Sequence, residues 1–105
     1  MRQLLVLFMS LIFSASVFAN LVEQGQELFS KCASCHGKNG MGKSGQKAPM
    51  LAGQYAWYVN SQIHAIKNGD RANANTKKMM PFVKRLSDED INALSAYVES
   101  MPRKK

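Results

Sequence analysis

Two cysteines and a histidine fall within five consecutive positions, Cys32-Ala33-Ser34-Cys35-His36. This C-x-x-C-H spacing is the attachment pattern of a c-type haem. Two thiols three positions apart lie on one side of a helical turn, where each can add to one of the two vinyl groups of the porphyrin. His36 then lies beneath the ring with a nitrogen towards the iron. The sequence therefore predicts that Cys32 and Cys35 hold one haem c covalently and that His36 is an axial ligand of its iron.

Three other uses of these residues agree less well with the sequence. A disulfide between Cys32 and Cys35 is possible in an oxidising compartment, but it would brace a loop of only four residues. A thioredoxin-like redox pair requires a βαβ setting, and no strand pattern precedes Cys32. A zinc site needs four ligands, and the contiguous Cys35 and His36 fit one tetrahedron poorly, even if His64 supplies the fourth.

A second motif, residues 37–44 (GKNGMGKS), fits the phosphate-binding pattern G-x-x-x-x-G-K-[ST]. That loop works between a strand and a helix whose N-terminus faces the phosphates. Here it follows the cysteine–histidine segment and leads into residues 45–49 (GQKAP), which have no helical pattern. We therefore predict no nucleotide site, and we expect the glycines to let the backbone pass close to the haem edge.

The N-terminal segment predicts export from the cytoplasm. Arg2 supplies a positive charge, residues 4–13 are almost entirely apolar, and small residues ending at Ala19 offer a cleavage site. The apolar run up to Ala19 has 16 residues, fewer than the roughly 20 that span a bilayer. We therefore expect residues 1–19 to be a cleaved signal peptide rather than a retained anchor. Residues 20–105 are predicted to be one soluble periplasmic domain without stable membrane insertion.

Length and charge limit the classes of protein. Removing 19 of the 105 residues leaves 86, too few for a multidomain enzyme and few enough that a cofactor would help to complete the core. One of the 14 basic residues is removed and none of the 7 acidic ones, so the net charge falls from +7 to +6. A basic surface predicts an acidic partner, and nucleic acid is the other common interpretation.

Apolar periodicity predicts three helices and no strand. In the first helix, the apolar face leads directly into Cys32, and it consists of Leu21, Val22, Gly25, Leu28 and Phe29. A second helix is predicted over residues 54–68, ended by Gly69, with its apolar face at Tyr55, Val59, Ile63 and Ile66. Between these helices and after Gly69 we expect loops over residues 37–49 and 70–78.

The last helix carries the clearest start signal. Ser87 is a typical N-cap, and the acidic residues at positions 88–90 fall in the positive first turn. Its apolar stripe is Ile91, Leu94, Val98 and Met101, followed by Pro102. Three short helices of this kind bury one another poorly, which indicates that their stripes pack on a common apolar cofactor. The predicted class is all-α.

Taken together, the chain resembles class I c-type cytochromes, most closely single-haem bacterial periplasmic carriers and one half of the dihaem c-four-type cytochromes. The resemblance extends over nearly all of residues 20–105. The matching positions are Gly25 and Phe29, the stretch Pro49-Met50-Leu51-Ala52-Gly53-Gln54, the set Tyr58, Gln62, Lys67, Gly69 and Arg71, the stretches Met79-Met80-Pro81 and Leu86-Ser87-Asp88, and the pair Leu94 and Tyr97.

This resemblance implies a small cytochrome c fold, with helices packed around one covalently bound haem and the first helix crossing the last. It also implies that the Pro49 carbonyl accepts a hydrogen bond from the haem-ligating His36. In the c-four-like members an M-x-P motif is followed, after four residues, by a leucine, and this spacing implies Met79 as the second axial ligand. Met80 is the alternative, because other class I branches place the methionine directly before proline. Since Met80 precedes Pro81, we expect it to be extended.

A histidine and a methionine would fill both axial positions of the iron and leave no site for oxygen or peroxide. The resemblance therefore implies an electron-transfer protein and not an enzyme, with redox proteins as partners. The basic charge predicts that these partners have acidic docking surfaces, and we expect neither nucleic acid nor nucleotide as ligand. Two alternatives stay open. One is a haem enzyme of peroxidase or gas-binding type with an open sixth position, and the other is a haem subunit of a larger respiratory complex.

Overall fold

The computed structural model describes the backbone of residues 2–104 and the side chains of residues 16–104. This part of the chain is helical, and its β-structure is limited to an isolated bridge between Lys43 and Ala48. The helices are α1 (Arg2–His36), α2 (Ala56–Asn68), α3 (Met80–Val83) and α4 (Asp88–Ser100), with short 3₁₀ helices at Ser44–Gln46 and Thr76–Met79. The predicted all-α class is confirmed.

The first helix is longer than its amphipathic part. α1 continues through the predicted cleavage position at Ala19 as one helix that ends at His36. Most of the apolar run on which the export prediction rests lies outside the residues with described side chains. The division into residues 1–19 and 20–105 therefore stays a prediction.

The core is built where α1 crosses α4. The Phe29 side chain is buried, and its ring meets the Tyr97 ring edge-on with centroids 5.4 Å apart. A Cβ atom added at Gly25 would overlap the Ala93 carbonyl oxygen and would lie 2.7 Å from the Tyr97 Cβ. The two backbones therefore touch at Gly25, as the resemblance implies for these helices.

This contact predicts that Gly25→Ala is strongly destabilising. Alanine is more favourable than glycine inside a helix by about 1 kcal/mol. The new methyl group would, however, occupy the position of the Ala93 carbonyl oxygen. We expect a net loss of about 2 kcal/mol in the free energy of unfolding, since overpacking costs about 1–3 kcal/mol or more. Chemical denaturation followed by circular dichroism measures this change.

The matched control is Gly45→Ala, because a Cβ atom at Gly45 has no heavy atom within 4 Å. It should alter the free energy of unfolding by less than about 0.5 kcal/mol. Equal stability of the Gly25→Ala variant and the parent protein would show that the helices do not need this close approach.

The N-terminus of α4 is fixed by a capping box. The Asp90 amide donates to the Ser87 hydroxyl at 3.1 Å, and the Ser87 amide donates to the Asp90 carboxylate at 3.1 Å. This pair satisfies two backbone donors that a helix start leaves free. The predicted cap is confirmed, and so is the burial of the whole predicted stripe, Ile91, Leu94, Val98 and Met101.

Helix α2 agrees with its prediction except at its start. Gly69 ends it in the left-handed conformation, with φ +84°, and its amide donates to the Ile66 carbonyl. Val59 and Ile66 are buried as expected. The expected burial of Tyr55 is wrong, because Tyr55 is the residue before the helix, with ψ 132°. Helical spacing does not apply there, and its side chain is 64% exposed.

The segment around the two methionines is helical, which corrects two expectations. The predicted loop over residues 70–78 ends in the 3₁₀ helix Thr76–Met79, and α3 follows it directly. Met80 is not extended, since its φ and ψ are −53° and −44°. Pro81 lies in the first turn of α3, where a helix does not use the amide hydrogen that proline lacks. The extended conformation that a residue before proline prefers is therefore not adopted by Met80, because the helical turn continues through it.

Candidate haem site

The last turn of α1 brings Cys32, Cys35 and His36 together. Both cysteines are free thiols and half-buried, and His36 is 6% exposed. Residues three apart on a helix lie on the same face, so the two sulfur atoms project from one side of this turn. Two unpaired thiols on one face are the arrangement that attachment to two vinyl groups needs.

The pKa of the Cys32 thiol distinguishes the pair of Cys32 and Cys35 from the redox-active cysteine pair of a thioredoxin-like protein. Burial, and then the neighbouring Cys35, raise the pKa of the Cys32 thiol above its ordinary value. Thioredoxin-like pairs depend on a nucleophilic cysteine whose pKa is lowered. The direction found here is the opposite, which argues against that alternative.

His36 is held by one well-defined hydrogen bond. Its Nδ1 lies 2.9 Å from the Pro49 carbonyl oxygen, and because a carbonyl only accepts, Nδ1 carries the proton. In the neutral imidazole Nε2 then carries the lone pair, and it has no hydrogen-bond partner among the described residues. A hydrogen bond from the nitrogen that does not bind the metal fixes the ring orientation of a metal-ligating histidine and raises its basicity. The bond to Pro49 that the resemblance implies is confirmed.

The loop between His36 and Pro49 folds back on its own backbone. The Gly42 amide donates to the His36 carbonyl at 2.7 Å, and the Lys43 amide donates to the Ala48 carbonyl at 2.9 Å. Gly42 has φ +83°, and a Cβ atom there would lie 2.8 Å from the Ala48 oxygen. This glycine is thus required for the loop's own close approach, and the loop closure sets the position of Pro49.

The same hydrogen bonds show why the loop cannot work as a phosphate cradle. In a P-loop, free backbone amides point at the phosphates. Here the amides of Gly40, Gly42 and Lys43 all donate to backbone carbonyls. The structure thus supports the prediction that residues 37–44 bind no nucleotide.

The methionine segment is positioned from its N-terminal side by an arrangement that sequence reasoning missed. The Thr76 amide donates to the Asn73 side-chain oxygen at 2.9 Å, and the Asn73 amide donates to the Thr76 hydroxyl at 2.9 Å. Thr76 is buried. This reciprocal pair is equivalent to a capping box, and it starts the 3₁₀ helix that ends at Met79. An asparagine followed by a threonine three positions later was the available signal.

Two further bonds hold this segment near α2. The Lys67 ammonium donates to the Leu86 carbonyl at 2.6 Å, and the Arg71 guanidinium donates to the Gln62 side chain at 2.9 Å. Met79 and Met80 themselves are both half-buried. Cys32, Cys35 and His36 thus share the end of α1, whereas the two methionines belong to a separate segment that packs on α2.

The donor set fits a haem better than a bare metal ion. The described residues contain no group of three or more His, Cys, Asp or Glu side chains that could hold an ion. The remaining histidine, His64, lies 3.8 Å from Asp88 and is not near the cysteines in any described contact. Two free thiols beside a histidine with one free nitrogen are the set that a haem c uses, which argues against the zinc alternative.

Comparison with known families agrees with this donor set. The profile of the cytochrome c family matches residues 22–102, which include the cysteine–histidine motif and both methionines. The chain belongs to the cytochrome c family. Members of this family bind haem c covalently, and Cys32 and Cys35 are the residues of this cytochrome that would hold it.

Individual relatives give the same result. Cytochrome c4 of Pseudomonas aeruginosa is 36% identical over 92 residues, which are 78% of this chain and 46% of the relative. Cytochrome c-554(548) of Halomonas halodenitrificans is 40% identical over 76 residues, or 72% of this chain and 90% of the relative. The crystal structure of reduced recombinant cytochrome c4 from Pseudomonas stutzeri superposes with a TM-score of 0.73 at 33% identity, and covers 80% of this chain and 50% of that one. This cytochrome spans about half the length of the c4 relatives.

Proposed function

We propose that this cytochrome is an electron-transfer protein that carries one electron on a haem c whose iron is bound by His36 and Met79. The observation that carries the proposal is the 2.9 Å hydrogen bond from His36 Nδ1 to Pro49, which leaves Nε2 free beside two unpaired thiols. When bound, the haem supplies an iron that changes between the ferric and ferrous states. Family membership supports the same function.

The hydrogen bonds around His36 and Met79 suit a site in which both ligands keep their positions when the iron changes its oxidation state. The Pro49 carbonyl keeps the His36 ring in one orientation, and the box of Asn73 and Thr76 fixes the start of the turn that ends at Met79. A thioether ligand raises the reduction potential relative to a stronger donor. Buried apolar neighbours such as Phe29 act in the same direction, because a low-dielectric shell disfavours the more charged oxidised state.

We place the protein in the periplasm after removal of residues 1–19. The support is the N-terminal sequence, with its single Arg2, its apolar run and its small residues before Asn20. Among the described residues, no helix meets the length and hydropathy that crossing a bilayer requires. Covalent haem attachment is consistent with an exported chain.

The charge distribution supports a docking side for acidic redox proteins. Six of the seven acidic residues lie on α1 and α4, whereas residues 37–87 carry nine basic residues and the single acidic residue Asp70. Four exposed cations flank the methionine segment, namely Lys77, Lys78, Lys84 and Arg85. We propose that this side, rather than the α1–α4 side, faces the redox partner, since complementary charge steers association. Neither nucleic acid nor nucleotide is proposed as a ligand.

The alternatives predict different behaviour of the sixth position. A peroxidase or gas-binding protein needs an iron site that an external ligand can enter, whereas His36 and Met79 together would close both axial positions. A permanent subunit of a respiratory complex would keep the same ligands but would not be isolated as a free monomer.

The experiment that tests the proposal is an optical and redox titration of the holoprotein purified from the periplasm of an expression host. We expect low-spin iron, a methionine–iron charge-transfer band near the red end of the oxidised spectrum, and one single-electron redox step. Added cyanide or carbon monoxide should change the spectrum only slowly. A high-spin spectrum that responds to either ligand at once would favour the enzyme, and elution only as part of a larger assembly would favour the subunit.

A further inference from the structure

A long stretch of the chain around the start of α2 has no charged side chain. Residues 48–66 contain no Lys, Arg, Asp or Glu, although 20 of the 86 residues at positions 20–105 are charged. At that density a stretch of this length would carry about four charges. Burial does not explain their absence, because six residues of the stretch are exposed, namely Pro49, Met50, Tyr55, Trp57, Tyr58 and Ser61.

The exposed part of this stretch on α2 is built from aromatic rings. Trp57 is 70% exposed and Tyr55 is 64% exposed. Their rings stack with centroids 6.4 Å apart, and the Tyr58 ring meets Trp57 edge-on at 5.7 Å. Ser61, one turn after Trp57, lies on the same face of the helix and is also exposed. Large apolar side chains that are exposed together, and not singly, mark interaction sites.

Uncharged side chains of α4 extend this surface. The Asn60 side-chain amide donates to the Asn92 side-chain oxygen at 2.6 Å. Asn92 belongs to residues 91–98 of α4, which also contain no charged side chain. We call the following residues the neutral surface: Tyr55, Trp57, Tyr58, Ser61 and Asn92.

Two carboxylates lie at the edges of the neutral surface. Glu99 accepts a hydrogen bond of 2.6 Å from the amide of Ala56, the first residue of α2. Asp88 lies 3.8 Å from His64, which is one turn beyond Ser61 on α2. A centre of Trp and Tyr side chains without charge, inside a polar rim, is the composition of a protein–protein interface. Trp and Tyr are also the side chains that most often dominate the binding energy there.

The charge of the protein indicates which partner this surface fits. Without residues 1–19 the net charge is +6, so two copies of the chain repel one another wherever their cations meet. At the neutral surface two copies can touch without bringing cations together. An acidic protein would gain more from the exposed cations that flank the methionine segment, such as Lys77 and Lys78. The neutral surface therefore fits a second copy of this chain better than an acidic protein.

The length of the relatives agrees with a pair. The chain covers 46% of cytochrome c4 of Pseudomonas aeruginosa and 50% of the cytochrome c4 structure from Pseudomonas stutzeri. Two copies of this cytochrome together therefore have about the length of one such relative.

We propose that two copies of this cytochrome associate reversibly through the neutral surface into a symmetric dimer. In a twofold dimer the same surface serves both copies, so the Trp57 ring of each copy packs on α2 of the other, where Ser61 leaves room for it. Burial of the aromatic rings drives the association, and no charged side chain at its centre has to leave water. The dimer brings two haems into one assembly, a consequence that rests on the proposed function.

The test is sedimentation velocity of the holoprotein, followed by its haem absorbance, from micromolar to submillimolar concentration. We expect a reversible change from monomer to dimer as the concentration rises. Added salt should strengthen the dimer, because it screens the repulsion between two cationic copies. A contact between opposite charges would weaken instead. Mass spectrometry checks that residues 1–19 are absent, because an uncleaved apolar leader would associate by itself.

Two variants test the surface itself. Trp57→Ser should raise the dissociation constant of the dimer about 30-fold, which is the factor that a dominant interface side chain contributes. Ser61→Lys introduces a cation on each copy at the contact and should raise the dissociation constant at least about tenfold.

The matched control is Ser30→Lys, which adds the same charge at an exposed position of α1. It should change the dissociation constant less than about threefold, because salt screens distant charges. An unchanged haem spectrum and redox titration show that each variant is folded and keep this test separate from that of electron transfer. The proposal is overturned if the parent protein stays monomeric throughout, which would leave the neutral surface to a partner of different sequence. It is also overturned if Trp57→Ser or Ser61→Lys dimerises as tightly as the parent, if salt weakens the dimer, or if Ser30→Lys weakens it as much as Ser61→Lys.

Discussion

Replacing both Cys32 and Cys35 with alanine should abolish covalent haem and leave a chain that does not fold cooperatively. The cytochrome c family match covers only residues 22–102, and domains of about this size bury only about 60% of their unfolded surface. A cross-link, a metal or a cofactor therefore supplies a large part of the stability of many small domains. Two thioether bonds would join the end of α1 to a large apolar group, and the double variant loses both bonds at once.

The measurement is haem staining after denaturing electrophoresis, combined with thermal unfolding followed by circular dichroism. We expect no retained haem and no sharp transition for the double variant. The control within the same motif is Ser34→Ala, because Ser34 is exposed and its hydroxyl bonds only to the Lys31 carbonyl one turn earlier. That variant should keep its haem and its transition. A cooperative, native-like transition in the haem-free double variant would refute the cofactor requirement.

The part of the fold that the sequence predicts is the part set by local rules. The stripe that includes Ile91, Leu94 and Val98 follows from a period of 3.6, and Ser87 and Gly69 follow from capping chemistry. These expectations are confirmed because the same residues satisfy both the local rule and the packing. The cysteine–histidine motif is equally local, since its chemistry depends on spacing within a single turn.

The failures arise where a local preference competes with a neighbouring element. Tyr55 has helical spacing from Val59 but precedes the helix, so periodicity assigned it to the wrong environment. Met80 has the extended preference of a residue before proline, yet the box of Asn73 and Thr76 starts a helical turn that continues through Pro81. The signal for this turn lies in Asn73 and Thr76, and not in the Met80–Pro81 pair from which the extended conformation was predicted.

The hydrogen bond from His36 to Pro49 is a different case. The two residues are 13 positions apart, and the loop that joins them is closed by backbone bonds at Gly42 and Lys43. Neither spacing nor periodicity predicts such a closure, so the bond could be expected only through resemblance to a family. Gly42 gives the loop closure a physical reason. Its φ is positive, and a side chain at this position would collide with the Ala48 carbonyl oxygen.

Replacing Met79 with alanine should remove the methionine–iron band completely, whereas replacing Met80 should leave it in place. The structure gives a physical reason why only one of the two can be a ligand. Both residues have helical backbone angles, with φ and ψ of −80° and −21° at Met79. Consecutive residues of a helix point about 100° apart. When the sulfur of one methionine points at the iron, the sulfur of the other therefore points away from it. The M-x-P spacing to Pro81 implies Met79.

The two single alanine variants form a matched pair, since each removes one half-buried methionine from the same turn. For Met79→Ala we also expect a reduction potential lower by on the order of 0.1–0.2 V, within the span of about 0.8 V that axial ligands control. Cyanide should then bind the ferric protein, and carbon monoxide the ferrous protein, without delay. Met80→Ala should shift the potential only slightly and stay closed to both ligands. Loss of the band in Met80→Ala, with its retention in Met79→Ala, would transfer the ligand role to Met80. Retention in both variants would mean that the two methionines replace one another or that a different methionine binds the iron.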